Sequence, residues 1–292
     1  MTDAIYINSS NQTSSTSTNF RVDFTTTYNP AGCEIALSRL LMYNAIANIR
    51  TTLGNTSFNY TWPDNTGTFQ QYTVNLLPST NTGIYASIED INNIMQTVMF
   101  NNGHYLISNG TPIYYLSMAA VAYANRFAIS NTVIPTALPT GFTKPTVGTF
   151  SNWVFPAIAT FPRIFIPTTS LQTTLGFSSG FYPVTVSAVS NISVSTSTPQ
   201  ITDITSLLVT CSFVGYSPFS TIFQRLASVP INNGYNSYIT FNPPQLSWLK
   251  TIEGNVRSIE VNLCDQNGNN LNTSLLDTSG IIMELQVRKI KS

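Results

Sequence analysis

Charged residues are scarce in this chain. Its 292 residues include 12 Lys or Arg and 12 Asp or Glu, which is 8% of the sequence and gives a formal net charge of zero. Soluble domains ordinarily carry roughly 25% charged residues. A surface built mainly from uncharged polar groups repels its own copies weakly and tends to associate. The composition therefore suits either a subunit that buries much of its surface in an assembly or a secreted polar β-protein.

The chain also lacks the excess of basic residues that nucleic-acid binding requires, because that partner demands a positively charged surface. Its one basic cluster is Arg288, Lys289 and Lys291, near the C-terminus. A solvated tail explains these three residues. We therefore expect at most a weak contact with nucleic acid through this tail.

The chain has few cysteines, and their number and spacing do not indicate pairs. Cys33, Cys211 and Cys264 are an odd number and form no C-x-x-C pair, so we interpret them as small buried residues in a reducing compartment. The first residues lack a basic region followed by an apolar run, so no signal peptide is expected. No apolar stretch reaches roughly 18 residues, so no membrane span is expected.

Residues for catalysis or metal binding are equally scarce. His104 is the single histidine, which excludes a site with several His ligands, and no Gly-x-Ser-x-Gly elbow occurs. A nucleophile formed by Cys33 or Cys211 with His104 stays open, because a sequence does not show proximity. Residues 265–269 begin like a calcium loop, but Asn270 stands where that loop requires glycine, which favours a hairpin turn. We predict no catalytic, cofactor-binding or metal-binding residues, and therefore no enzyme.

Alternation of apolar and polar residues predicts strands with one buried face. The stretches that show it are residues 20–24, 58–62, 72–76, 207–213, 259–263 and 281–287. Residues 163–166 and 184–194 are further predicted strands. Within residues 34–44, the apolar phase shifts between Leu37 and Leu40, which indicates a strand with a β-bulge.

One helix interrupts the strands. Apolar residues recur at helical spacing at Ile88, Ile91, Ile94, Met95, Val98 and Met99. Ser87 and Asp90 have the spacing of a capping box, and Gly103 follows the last apolar position. Glu89 and Asp90 are explained by the favourable dipole at the start of a helix. A second, short turn of helix is predicted near residues 171–176.

These elements predict an all-β fold, a single jelly-roll β-sandwich of about ten or eleven strands with one helix and loop insertions. One domain is expected over residues 1–292, because no linker rich in Gly, Ser or charge divides the chain. Residues 1–18 are predicted to form a flexible N-terminal arm, since residues 8–19 are almost all Asn, Ser, Thr and Gln. Repeated prolines in residues 133–162 predict an irregular excursion.

Several separated blocks of the chain form a recognisable series. The blocks are Phe20-x-Val22-x-Phe24, residues 34–37, residues 43–49, Tyr72-x-Val74-x-Leu76, residues 83–85, Ile91-Asn92, Leu171-x-x-x-Leu175-Gly176-Phe177, residues 239–246 and residues 259–265. In this order they resemble the penton, or minor capsid, proteins of virophages and related polinton-type elements. Their order and the chain length, more than any single block, carry the resemblance. Residues 133–162 do not align with it.

The resemblance implies a structural protein with a single jelly roll. Five copies would close around a fivefold vertex of an icosahedral shell, as a homopentamer in contact with a double-jelly-roll major capsid protein. The localisation implied is the virion, at the capsid vertex, after assembly in the host cytoplasm. Closed cyclic symmetry requires two different patches on each subunit that fit each other.

The residues alone leave two other functions open. The first is a surface-displayed β-sandwich that binds a ligand or glycan for host attachment, with Trp62, Trp153 and Tyr182 as sugar platforms. Buried aromatic residues at the ends of a sandwich would explain the same three residues. The second is a hydrolase on a β-sandwich, which would require turnover that depends on His104.

Overall fold

The structure is a computed structural model that divides into two compact units. Unit 1 comprises Met1–Ala47 and Ile204–Ser292, and unit 2 comprises Asn48–Asp203. The single domain expected over residues 1–292 stays a prediction. The structure describes residues 2–13, 18–79, 83–122, 124–201, 204–215, 224–234, 237–271 and 280–290.

Most described residues in regular structure are in strands. The strands are β1 Thr2–Asn8, β2 Asn19–Tyr28, β3 Cys33–Tyr43, β4 Ser57–Pro63, β5 Phe69–Asn75, β6 Leu106–Ser108, β7 Thr111–Ile113, β8 Leu116–Val121, β9 Arg126–Asn131, β10 Phe142–Thr143, β11 Ile164–Ile166, β12 Gly180–Tyr182, β13 Asn191–Val194, β14 Ser206–Cys211, β15 Arg225–Pro230, β16 Tyr238–Phe241, β17 Leu249–Lys250, β18 Val256–Asp265 and β19 Ile282–Lys289. The helices are α1 Ile88–Asn102 and α2 Leu171–Leu175, with 3₁₀ turns at Ser9–Asn11 and Thr51–Leu53.

Unit 1 contains two antiparallel sheets that share one hydrophobic core. One sheet has the order β1-β19-β3-β16, with β17 also paired to β3, and the other has the order β15-β14-β18-β2. The inward residues predicted from alternation on β18 and β19 are buried in this core, including Ile259, Val261, Met283 and Leu285. The all-β prediction is therefore confirmed, and the sandwich is formed by strands from both ends of the sequence.

The predicted bulge lies at Ser38, on β3. Opposite it on β19, the register shifts so that Glu284 pairs with Arg39 and Leu285 pairs with Leu37. Ser38 is thus the extra residue, and its hydroxyl donates a hydrogen bond to the Glu284 carbonyl oxygen at 2.9 Å. The bulge explains why the alternation of apolar and polar residues shifts by one position along β3, although both halves of the strand face the same core.

The N-terminal segment differs from the flexible arm predicted over residues 1–18. Strand β1 pairs with β19 along its whole length, from Thr2 opposite Arg288 to Asn8 opposite Ile282. Ile7 is buried in the core of unit 1. The apolar residues before the polar stretch therefore supply an edge strand, because burying them outweighs the entropy of a free arm. Residues 14–17 of the predicted arm lie outside the described residues.

Unit 2 packs three small sheets and helix α1 around a second hydrophobic core. The sheets have the orders β12-β11-β4-β5, β13-β9-β8 and β10-β6-β7. Helix α1 buries its predicted stripe at Ile88, Ile91, Met95 and Met99. Within residues 133–162, the regular structure comprises β10 and a single bridge between Ile134 and Thr160.

Both ends of α1 are formed as the sequence predicts. The Ser87 hydroxyl accepts a hydrogen bond from the Asp90 amide, and the Asp90 carboxylate accepts one from the Ser87 amide. Gly103 ends the helix in the left-handed region, at φ 76°, where a residue with a side chain is strained. Within the described part of the chain, no helix is long and apolar enough to cross a membrane.

Removing the Ile7 side chain should destabilise unit 1, because Ile7 is 1% exposed. We expect Ile7→Ala to lower the free energy of unfolding by about 2–5 kcal/mol, as for other large-to-small changes in a core. Tyr6→Ala is the matched control on the same strand, since Tyr6 is 65% exposed. Urea denaturation measures both values. Equal, small effects of the two changes would contradict the packing of β1.

Candidate interaction surface

His104 lies inside the core of unit 2. Its Nδ1 is 2.7 Å from the Tyr60 hydroxyl oxygen, which also accepts a hydrogen bond from the Asn102 amide at 2.9 Å. The imidazole therefore shares a hydrogen-bonded group with Tyr60 and Asn102. The ring stacks on Trp62 and meets Tyr72 edge to face at 4.4 Å.

The surroundings of His104 do not suit a general base. Its side chain is fully buried, and this burial lowers its pKa to about 3, so the imidazole is neutral at physiological pH. A ring enclosed by aromatic side chains does not contact a substrate in solution. The hydrolase hypothesis that depends on His104 is therefore not supported.

Neither candidate cysteine has surroundings that suit a nucleophile. Cys33 and Cys211 are both buried in the hydrophobic core of unit 1. All three cysteines are buried and free of disulfides. Burial raises the pKa of the Cys211 thiol to about 12, which keeps it protonated. The prediction that the cysteines are small buried residues is confirmed.

The stretch that resembles a calcium loop is a turn after β18. One carboxylate oxygen of Asp265 accepts hydrogen bonds from the amides of Asn267 and Asn269, at 2.8 and 2.9 Å. Gly268 takes φ 84°, as the turn requires. Among the described residues, no group of three His, Cys, Asp or Glu side chains lies close enough to hold a metal ion.

The aromatic residues considered as sugar platforms are mostly in the core. Trp62 and Trp153 are both almost completely buried. The Trp153 ring nitrogen donates to the Gly103 carbonyl oxygen at 2.7 Å, and Lys144 lies over the ring face at 4.2 Å. Tyr182 is half-buried against Phe177. These contacts match the packing explanation and do not support a glycan site.

The basic C-terminal cluster is partly engaged within the chain. The Arg288 guanidinium forms an ion pair with Glu34 at 2.8 Å and lies over the Trp248 ring at 4.0 Å. Lys289 is exposed at the end of β19, and Lys291 lies outside the described residues. One of the three expected cations is thus committed to a partner in unit 1.

A set of exposed aliphatic side chains lies within residues 184–194 of unit 2. We call it the valine surface, and it consists of Val184, Val186, Val189, Ile192 and Val194, which are 78, 54, 72, 67 and 48% exposed. The sequence predicts a strand over residues 184–194, but the structure forms one only in β13. Residues 184–192 are all exposed, so the alternation there does not mark a buried face.

Charge is missing from the sequence around the valine surface. The chain has no acidic residue between Asp90 and Asp203, and its only Lys or Arg residues there are Arg126, Lys144 and Arg163. Exposed apolar groups without neighbouring charge are typical of the central part of a protein interface. This absence of charge is the sequence feature that could have identified the surface.

A buried asparagine holds the segments that border the valine surface. The Asn131 amide group, at the end of β9, donates hydrogen bonds to the carbonyl oxygens of Pro162 and Tyr182, at 2.8 and 3.3 Å. Pro162 directly precedes Arg163, and Tyr182 lies two residues before Val184. Asn131 therefore fixes the chain at the start of both segments.

The two edge strands of the sheet β13-β9-β8 have different neighbours. Along β8, side chains of α1 accept the edge hydrogen bonds, since Asn92 accepts from the Met118 amide and Glu89 from the Ala120 amide. This contact protects the edge from pairing with another chain. At the other edge, β13 has one strand neighbour, β9, among the described residues. The valine surface thus continues along an open sheet edge.

Acidification should destabilise the protein through its single histidine. His104 has a pKa of about 3 in the native state, whereas an unfolded imidazole takes up a proton near pH 6.5. The unfolded state therefore binds more protons between these values, and the free energy of unfolding falls as the pH falls. We expect a slope approaching about 1.4 kcal/mol per pH unit between pH 6 and 5.

Urea denaturation at several pH values measures this slope. His104→Phe is the control, since it keeps an aromatic ring in the core but removes the titrating group. Its slope over the same interval should be close to zero, because carboxylates titrate at lower pH. A slope as steep in His104→Phe as in the unmodified chain would contradict the assignment to His104.

Two of the solved structures similar to this chain are from virophages. The mavirus penton protein matches at 11% identity and a TM-score of 0.48, over 98% of this chain and 97% of that chain. A chain of the Sputnik virophage structure matches at 12% identity and a TM-score of 0.42, over 98% of each chain. No protein-family model and no curated protein matches the sequence. The chain is similar to virophage proteins, as its sequence predicted.

Proposed function

We propose that this chain is a structural capsid protein whose copies assemble through the valine surface. The observation that carries the proposal is the row of exposed aliphatic side chains on residues 184–194, in a part of the chain without acidic residues. Leaving such a row in water is unfavourable, and covering it with a matching protein surface removes that cost. The function follows from packing and symmetry and involves no catalytic residue.

The assembly proposed is a homopentamer at the fivefold vertex of an icosahedral shell. Support for it comes from the sequence blocks that resemble virophage penton proteins. In such a ring, each copy presents one patch to the neighbour on one side and a different patch to the neighbour on the other. The valine surface is one of these patches. On its outside, the ring contacts a double-jelly-roll major capsid protein. The protein is located in the virion, and it assembles in the host cytoplasm.

The solution mass of the purified chain tests this function. Light scattering should give a mass near five times 32.0 kDa. A stable trimer would contradict the pentamer and indicate a different capsomer. A monomer at every concentration, also when mixed with the major capsid protein of the same virus, would overturn the structural role.

A charge placed in the valine surface should dissociate the assembly without unfolding it. Val189 is 72% exposed, so Val189→Asp costs little in the isolated chain but places an unpaired carboxylate in the contact. We expect the mass to fall to that of a monomer at concentrations where the unmodified chain is assembled, while the circular dichroism spectrum and melting temperature stay unchanged.

Val147→Asp is the matched control for this change. Val147 is 65% exposed in the same unit but lies outside the valine surface. Its substitution should leave the assembled mass unchanged. If both variants, or neither, dissociate the assembly, the valine surface is not the specific contact.

A further inference from the structure

Arg163 is a half-buried cation at the margin of the valine surface. It lies between Pro162 and the first residue of β11, where its amide donates to the Thr61 hydroxyl at 2.7 Å. Its guanidinium lies over the Phe181 ring at 4.2 Å. One guanidinium nitrogen donates to the Val184 carbonyl oxygen at 3.4 Å, which links Arg163 directly to the valine surface.

No carboxylate neutralises Arg163 within the described residues, where the ion pairs of the arginines involve Arg21 and Arg288. Burial alone lowers the pKa of Arg163, and no nearby acid counteracts this effect. A partly buried charge without a counter-charge is unfavourable, because the loss of hydration is not compensated. The guanidinium also has more hydrogen-bond donors than the single carbonyl can accept.

A small cavity beside Arg163 has room for such a counter-charge. Its volume is about 200 Å³, and its walls include the rings of Phe69, Phe161 and Phe181 together with Val186 of the valine surface. A water molecule occupies roughly 30 Å³, so the cavity admits a carboxylate side chain. The aromatic walls would shield the resulting ion pair from solvent and strengthen it.

We propose that Arg163 is the charged anchor of the contact between copies, and that a carboxylate of a second copy enters this cavity when the valine surface is covered. The proposal rests on the proposed function, since it assigns the specific partner group of the same surface. Apolar contact alone would hold the relative orientation of the two copies only weakly. A guanidinium that receives a carboxylate in a fork geometry sets their register.

Among the acids that the structure describes, two suit this role. Asp3 and Glu253 are exposed, and neither has a hydrogen bond or ion pair within the described residues. The described acids of unit 2 already accept hydrogen bonds, Asp64 from its own turn, Glu89 from the Ala120 amide of β8, and Asp90 from the chain before α1. Asp3 and Glu253 belong to unit 1 and Arg163 to unit 2, so the contact joins two different patches, as a closed ring requires.

Charge reversal and charge exchange test the proposal. Arg163→Glu should raise the concentration at which the assembly half-dissociates by about 30-fold or more, the effect of breaking one buried interfacial charge pair. Arg257→Glu is the control, because Arg257 is an exposed arginine of unit 1 and undergoes the same change of charge. The melting temperature of each variant verifies folding. If Arg163→Glu fails to fold, Arg163→Gln replaces it, with a smaller loss expected in the same direction.

Combining Arg163→Glu with either Asp3→Arg or Glu253→Arg should restore assembly at least tenfold toward the unmodified chain. Failure of both combinations would overturn the assignment of the partner carboxylate to a second copy. If the unmodified chain forms a pentamer and Arg163→Glu leaves it unchanged, Arg163 is not the anchor and the proposed function stands. If the unmodified chain does not assemble at all, the proposed function itself fails.

Discussion

The hydrogen bonds of Asn131 hold together the part of the molecule on which the proposed function depends. From the end of β9, one buried amide group binds the carbonyl oxygens of Pro162 and Tyr182. Buried backbone groups require hydrogen-bond partners. An asparagine amide supplies one without bringing in a charge that would itself need to be neutralised, which suits a chain with so few charged residues. Because these two carbonyls precede Arg163 and Val184, the same contact places the cation and the aliphatic row side by side.

Asparagine side chains also bind backbone groups elsewhere in unit 2. Asn48 donates to the carbonyl oxygens of Tyr85 and Ile201, and Asn55 accepts from the Arg50 amide. Each amide can donate and accept at once, so it substitutes for a missing strand neighbour where the chain is irregular. Buried side-chain amides therefore order irregular segments of unit 2 without adding charge.

This neutrality gives the surface its chemical character. An aliphatic row next to many charged residues would stay hydrated and would impose charge matching on any partner. Here the row has one cation at its margin, Arg163, whose partly dehydrated guanidinium lacks an acidic neighbour among the described residues. The apolar side chains favour association in general, while the single cation supplies a preferred orientation. In the proposed assembly, the two features together would select one specific neighbour.

The sequence by itself determined the elements that depend on residues close together in the chain. Alternation predicted strands β18 and β19, a phase shift predicted the bulge at Ser38, and a capping box predicted the start of α1. Only the tertiary structure decided which alternating or aromatic residues are inside. Residues 184–194 alternate like a buried strand but face outward, whereas Trp153 and His104 are enclosed. Burial depends on what distant segments cover, and a local pattern contains no record of those contacts.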